Sequence, residues 1–317
     1  MASVLLTRRI PSSVLTPLQA RHTVDLYSGD GDAAIPRDEL LRRVAGKDAL
    51  ICVLTDKIDA AVMDAAPSLK IVANIAVGYD NIGIAQARQR NIVVTNTPDV
   101  LTEAVAELTW ALILGIARRV AEGDRLIRRD GWKGWALDFM LGTELRGKQL
   151  GIIGAGRIGR AVAAKAPAFG MRVVFAGRST PRTKDAAYTA VSVDELLVTS
   201  DVISIHAPAT AETRHLINKR TLARMKRSAL LVNTARGSII DEEALAWALD
   251  ERLIAGAALD VFEHEPDVPP SLRQHENVLL VPHVGSATRE TRTAMADLAA
   301  RNVLAVLTGD QPLTPVT

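Results

Sequence analysis

Cysteine is nearly absent from this chain of 317 residues: the only one is Cys52, inside the apolar run 49–54. One cysteine rules out an intrachain disulfide framework and fits a reducing compartment, so the expected location is cytoplasmic. The thiol itself reads as a buried core group. Neither sign of charge dominates. The net charge of +2 is too small to imply a nucleic-acid or membrane-surface partner. No apolar run reaches the roughly 18 residues of a membrane span. Repeats and low-complexity tracts are missing as well. Arg8, Arg9 and Arg21 precede only one acid, Asp25, in their neighbourhood, faintly in the manner of a transit peptide. Residues 4–7 read better as a first strand.

The composition is that of an ordinary globular chain, 48% hydrophobic and 23% charged. The length exceeds one ordinary core, so two domains are expected. Short apolar runs at 4–7, 23–27, 50–54, 71–75 and 92–95 alternate with helical patterns at 37–45, 59–66 and 84–89. Such alternation predicts parallel strands with crossover helices. The turn cluster Asn96-Thr97-Pro98-Asp99 then opens a long helix, 102 to about 120, with Leu108, Leu112 and Ile116 on one face. From Gln149 the rhythm restarts, with strands at 149–153, 172–175, 202–206, 229–233, 257–260 and 278–281. Helices read most clearly at 158–168 and 242–251. A last helix, 289–307, follows that second sheet and is expected to return and cover the first. The fold class is therefore α/β with two doubly wound domains. Residues 1–97 and 286–317 form the smaller one, and 98–285 form a Rossmann domain. Two chain crossings make a hinged cleft, where a ligand is expected.

The Rossmann reading rests on residues 147–170, G-K-Q-L-G-I-I-G-A-G-R-I-G-R-A-V-A-A-K-A-P-A-F-G. Leu150, Ile152 and Ile153 form a buried strand. Gly154, Gly156 and Gly159 follow at G-x-G-x-x-G spacing with Ala155, Arg157 and Ile158 between them, and a helix begins at once. The first glycine makes the tight turn, the second admits a pyrophosphate to the backbone, and the third lets helix pack on strand. Unpaired N–H groups at that helix start favour an anion. The flanking strand and helix supply the context that makes the triplet a dinucleotide site.

A second absence selects the dinucleotide. An acid at the end of the second strand would bind the ribose 2′-OH. Here Val173–Ala176 runs into Gly177, Arg178, Ser179 and Thr180, and no carboxylate occurs before Asp185. Arg178 offers a charged fork for a phosphate, and the two hydroxyls and Arg182 assist it. The expected cofactor is NADP(H), with NAD bound more weakly. No metal ion enters this reading.

Three polar residues follow later strand ends, where an open α/β sheet places its ligands. They are Arg236 in N-T-A-R-G, Glu265 in D-V-F-E-H-E-P, and His283 in P-H-V-G-S-A. A ketone reduced by hydride needs an acid to protonate the forming alkoxide, and a histidine beside a carboxylate suits that task. A 2-oxo acid needs a cation for its carboxylate and carbonyl, which a guanidinium can grip in two places. Taken singly, a histidine near a strand end is more often satisfied structure, and a Glu-Pro pair is usually a loop.

Together the segments resemble one family, the D-isomer-specific 2-hydroxyacid dehydrogenases. The likeness covers nearly all of the chain. It is carried by A-V-G-Y-D-N-I (76–82), D-V-L-T-E-A-V-A-E-L (99–108), G-I-I-G-A-G-R-I-G, I-H-A-P (205–208), N-T-A-R-G, L-D-V-F-E-H-E-P and P-H-V-G-S-A-T. The resemblance implies that Arg236, Glu265 and His283 are catalytic. The Glu-Pro pair points to Glu265 rather than Glu263, which is expected to be peripheral. It also implies substrate-carboxylate binding by the N–H groups of Val77 and Gly78. Thr102 falls near the nicotinamide, Pro208 near the adenosine, and Asp260 near the nicotinamide amide unless it only caps a turn. His206, Ala207, Thr213, Thr234, Ala235 and Gly285 complete the expected cofactor site.

Within the family the chain looks most like the branch that reduces glyoxylate and hydroxypyruvate, through D-V-L-T, D-G-W-K-G-W (130–135) and G-R-S-T. In that branch the second tryptophan, here Trp135, reaches the neighbouring subunit of a homodimer and lines its substrate site. The alternative is that both tryptophans simply pack in the dimer contact. The chain stops soon after the returning helix, so the regulatory domain of many phosphoglycerate dehydrogenases is not expected. Formate dehydrogenases pair the histidine with glutamine, which Glu265 argues against. Phosphoglycerate oxidation, phosphite oxidation and a non-catalytic, corepressor-like nucleotide sensor stay open as alternatives.

Overall fold

The computed structural model describes residues 1–29, 33–177 and 188–317. These fall into two compact units, one of residues 1–101 and 286–317, the other of residues 102–285.

The first unit holds β1 (Ser3–Leu6), β2 (Thr23–Leu26), β3 (Ala49–Cys52), β4 (Ile71–Asn74) and β5 (Val93–Thr95). They form one parallel sheet in the order β2-β1-β3-β4-β5, the flavodoxin-like arrangement. β3 and β4 are buried along their whole length. A parallel sheet covered on both faces needs such continuous apolar runs. The helix Arg289–Thr308 packs on β3 and β4 and on the helix Ser12–Gln19. It starts where the Thr288 side chain accepts the Thr291 N–H, a cap worth about 1 kcal/mol. It stops at Gly309, whose φ of 87° a side chain would resist.

The second unit holds β6 (Gln149–Ile153), β7 (Arg172–Ala176), β8 (Tyr188–Ala190), β9 (Val202–Ile205), β10 (Leu230–Asn233), β11 (Gly256–Leu259) and β12 (Val278–Leu280). All are parallel, in the order β12-β11-β10-β9-β6-β7-β8. The strand order reverses between β6 and β9, so the crevice for a ligand lies at the carboxyl ends of those two. Sequence periodicity predicts six strands here, and β8 is the seventh. It has three residues, sits at the sheet edge and leaves two of them exposed, so it carries no apolar run.

The helix predicted over 102 to about 120 is two helices. Thr102–Ala117 is largely buried and packs on β10, β11 and the helix Arg157–Lys165. Trp110 locks that contact, donating from Nε1 to the Val162 carbonyl at 3.0 Å and stacking on Phe169. Arg119 then takes a φ of 54°, and Val120–Arg128 continues with no buried residue. Arg119 bonds Glu122 from both Nε and Nη2, which helps to hold that break.

Candidate active site

In the second unit β6 delivers the glycine turn. Gly154 has a φ of 102°, and a Cβ there would stand 2.6 Å from the His206 carbonyl carbon. A Cβ on Gly159 would stand 2.2 Å from the Gly154 oxygen, so the helix Arg157–Lys165 seats on the turn only with glycine. A Cβ on Gly156 would meet nothing within 4 Å. That open backbone at a helix start is what a diphosphate requires. Ala155 is buried beneath the turn, and Arg157 and Ile158 begin the helix. At the end of β7, Gly177 lies against Gly154, with a built Cβ 3.5 Å from its nitrogen. Arg178, Ser179, Thr180 and Arg182 lie outside the described residues.

His206 ends β9 beside that turn. Its N–H donates to the Ile153 carbonyl at 2.7 Å, and its Nε2 hydrogen-bonds the Ser204 hydroxyl at 2.8 Å. Desolvation pushes the ring down to about 3, so it is neutral throughout the physiological range. It brings hydrogen bonding but no charge to the end of β9. Ala207 is buried and Pro208 exposed. The Thr213 hydroxyl closes the following loop, donating to the Pro208 carbonyl and accepting the Thr210 N–H.

The three expected reacting groups leave β10, β11 and β12. After β10, the buried Asn233 braces the Arg236 turn. Its Oδ1 accepts the Ala235 N–H at 3.0 Å, and its Nδ2 donates to the Arg236 carbonyl at 2.9 Å. Thr234 is tied back to Thr109 through their hydroxyls at 3.0 Å. Gly237 follows under tight constraint: a Cβ would stand 1.8 Å from the Phe262 carbonyl carbon. The Arg236 turn is thus packed directly on the loop that carries Glu265.

Glu265 Oε1 accepts the Phe262 N–H at 3.0 Å, and Oε2 accepts the His283 Nδ1–H at 2.7 Å. Burial opposes its ionisation. The bond and charge of His283, the Phe262 N–H and the Arg236 charge outweigh burial and hold Glu265 below the ordinary carboxylate range. Glu265 therefore stands as a carboxylate that accepts from Nδ1 of His283. Nδ1 is committed, and Nε2 is the nitrogen that can meet a substrate.

Asp260 fixes the loop on which His283 sits. Its carbonyl accepts the His283 N–H at 2.9 Å, and its carboxylate oxygens accept the N–H groups of Val284 at 2.6 Å and Gly285 at 2.8 Å. These bonds hold His283 at a φ of 51°, a left-handed conformation uncommon for residues other than glycine. Burial pushes the Asp260 carboxyl up, and the Val284 N–H, the His283 charge and the Gly285 N–H oppose it. The turn-capping role weighed from sequence is present in the structure.

Glu263 does not touch the Glu265–His283 pair through any bond among the described residues, but it is not idle. Its carboxylate accepts from Arg214 at 2.6 Å and His215 at 2.9 Å, and its N–H donates to Glu242 at 2.9 Å. It ties the Pro208–His215 loop to the Glu265 loop.

In the first unit, the segment after β4 carries Val77 and Gly78, both half-buried. Asn74 and Asn96 donate to their carbonyls, a role that sequence reasoning missed. A polar residue closing a fully apolar strand, as in I-V-A-N and L-L-V-N, is the signal that points to both Asn74 and Asn233. Thr102 is half-buried at the first turn of its helix. Trp135 is 78% exposed and Trp132 55%, with Leu137 and Leu141 also exposed. Cys52 is buried and free. Among the described residues no helix is long and apolar enough to cross a membrane.

A family model described as D-isomer specific 2-hydroxyacid dehydrogenase, NAD binding domain, matches residues 110–285. The chain belongs to the D-isomer-specific 2-hydroxyacid dehydrogenase family, enzymes that work with a nicotinamide dinucleotide. It is 49% identical to a glyoxylate reductase of Thermofilum pendens over 315 residues, which cover 98% of this chain and 92% of that protein. A solved glyoxylate reductase from Paecilomyes thermophila aligns with a TM-score of 0.89 at 33% identity, covering 99% of this chain and 98% of that one. An NADPH-dependent glyoxylate/hydroxypyruvate reductase of Sinorhizobium meliloti, solved with NADP and malonate, aligns with a TM-score of 0.87 at 36% identity, covering 100% and 97%.

Proposed function

We propose that this protein reduces small 2-oxo acids, glyoxylate and hydroxypyruvate among them, to D-2-hydroxy acids with NADPH. The observation that carries the reading is the 2.7 Å bond between His283 Nδ1 and Glu265 Oε2, with the Arg236 charge beside it. When bound, the nicotinamide supplies the hydride. His283 donates a proton from Nε2 to the carbonyl oxygen as negative charge grows there, and Glu265 stabilises the charged imidazole before that transfer. Arg236 holds the substrate carboxylate and carbonyl, together with the backbone N–H groups of Val77 and Gly78. Gly154, Gly156 and Gly159 seat the diphosphate, with His206, Ala207, Pro208 and Thr213 along the adenosine side. Thr102, Thr234, Ala235, Asp260 and Gly285 flank the nicotinamide side.

NADPH rather than NADH is proposed from Gly177-Arg178-Ser179-Thr180 and the lack of an acid before Asp185. The NADP-bound relative from Sinorhizobium meliloti supports this choice. Replacing Arg178 with Ala is expected to raise the NADPH dissociation constant by about tenfold or more, roughly 1.4 kcal/mol, while that for NADH barely changes. Fluorescence titration with both cofactors checks this, and equal losses would remove the assignment.

A homodimer is part of the same reading, with Trp135 crossing to the neighbouring subunit. The exposed indoles and leucines of residues 132–141 support it, since isolated chains seldom leave such a row in water. Sedimentation at micromolar concentration is expected to give twice the chain mass, and a Trp135→Ala variant a raised KM for the 2-oxo acid. Work in the cytoplasm is proposed from the single buried cysteine.

A substrate panel tests the function as a whole. Mixing with NADPH and glyoxylate or hydroxypyruvate is expected to remove the reduced-nicotinamide absorbance. A nucleotide sensor would bind NADPH without consuming it. Preference for 3-phosphoglycerate would instead move the protein to the phosphoglycerate dehydrogenase class.

A further inference from the structure

The loop that follows β4 is held by its carbonyls. The Thr97 N–H donates to the Ala76 carbonyl at 2.9 Å. Asn96 Nδ2 donates to the Val77 carbonyl at 2.8 Å, and Asn74 Nδ2 to the Gly78 carbonyl at 2.9 Å. Three successive carbonyls are thus engaged by three donors. A trans peptide is planar, with its N–H directed opposite its C=O. Fixing the carbonyls of Ala76, Val77 and Gly78 therefore turns the N–H groups of Val77, Gly78 and Tyr79 away from the bracket. Among the described residues none of those three N–H groups donates a backbone hydrogen bond.

The bracket has supports of its own. Asn74 Oδ1 takes the Cys52 thiol at 3.6 Å, and its Nδ2 also reaches Asn81 Oδ1 at 3.2 Å. Asn96 is held from the other end of the chain. Its N–H donates to the Thr314 carbonyl at 3.3 Å, and its own carbonyl accepts the Thr314 hydroxyl at 2.6 Å. Thr314 is gripped in turn by Asn302, which is fully buried in the helix Arg289–Thr308. Asn302 Oδ1 accepts the N–H groups of Leu313 and Thr314, and Nδ2 donates to the Thr314 hydroxyl at 2.9 Å. A line of hydrogen bonds runs Asn302, Thr314, Asn96, Val77.

We infer that Asn96 is a positioning residue for the substrate carboxylate, preset by Thr314 and Asn302, so that segment 313–314 sets the aim of the amides that bind the anion. This rests on the proposed carboxylate role of the Val77 and Gly78 amides. An amide aimed before binding costs the complex no ordering, whereas a loose loop must be ordered at the expense of affinity. The energy lies in substrate binding, so KM should move and the chemical step should not.

The test uses glyoxylate as substrate and oxalate, a carboxylate of similar size, as a binding probe. Asn96→Ala is expected to raise the glyoxylate KM and the oxalate inhibition constant by about tenfold, the scale of losing a part-buried hydrogen bond that leaves its carbonyl unpaired. Saturated turnover should stay within about twofold and the NADPH dissociation constant should hold. Thr314→Val, which keeps shape but removes the hydroxyl, should reproduce part of that rise, and Thr314→Ser should restore the wild-type constant. Calorimetry of oxalate binding gives the same readout without turnover, and Thr314→Val carries the test if Asn96→Ala folds poorly. An unchanged oxalate constant in Asn96→Ala and Thr314→Val overturns the inference. A crystal of the unaltered protein with oxalate bound away from the Val77–Tyr79 amides overturns the underlying assignment instead.

Discussion

His283→Ala is expected to lower turnover by about 10²-fold or more, the usual worth of a positioned general acid. The NADPH dissociation constant should stay at its original value, because the glycine turn, Arg178 and the loop after β9 are untouched. The reason lies in the division of the ring's two nitrogens. Nδ1–H is committed to Glu265 at 2.7 Å, so Nε2 is the one that can deliver a proton. Removing the ring leaves water as the acid and Glu265 without its main partner. Stopped-flow turnover and fluorescence titration separate the two effects. Near-normal turnover in this variant would refute the acid role.

Arg236→Lys is expected to cut kcat/KM for a 2-oxo acid by roughly 10²-fold, the scale of losing one preorganised donor to a developing oxyanion. The charge survives this change, so a merely electrostatic role predicts little loss. A lysine ammonium is a point charge and cannot reproduce two parallel bonds. The backbone around it is not free to adjust. Asn233 braces the turn and Gly237 abuts Phe262, so the shorter reach of lysine cannot be offset by moving the chain. Steady-state kinetics with glyoxylate checks it, and activity within about threefold of the original would remove the two-point grip.

Much of this site was legible because its chemistry is written in local motifs. The glycine triplet needs no tertiary knowledge: turn, close approach and helix packing each exclude a side chain, and the built Cβ distances at Gly154 and Gly159 show two of those exclusions directly. The choice of Glu265 over Glu263 rests on a neighbouring proline; in the structure Glu265 bonds His283, and Glu263 bonds Arg214 and His215. What stayed hidden were residues whose partners are backbone groups far along the chain. Asn96 and Thr314 are linked across more than two hundred positions, and no periodicity announces such a bond. Asn74 and Asn233 were visible only as polar ends of apolar strands. The break at Arg119 was hidden for another reason. It lies in a sequence of good helix formers, and only a positive φ at an arginine ends the helix. β8 was missed because a short edge strand need not be apolar.

The proposed activity comes down to one event, hydride delivery to C2 of a 2-oxo acid while His283 protonates its oxygen. Incubating the protein with hydroxypyruvate and NADPH deuterated at the transferable position, followed by mass spectrometry and chiral separation, tests it most directly. The predicted product is D-glycerate carrying one deuterium at C2. Unreacted hydroxypyruvate beside bound, unconsumed NADPH, or glycerate of the L configuration, would contradict it.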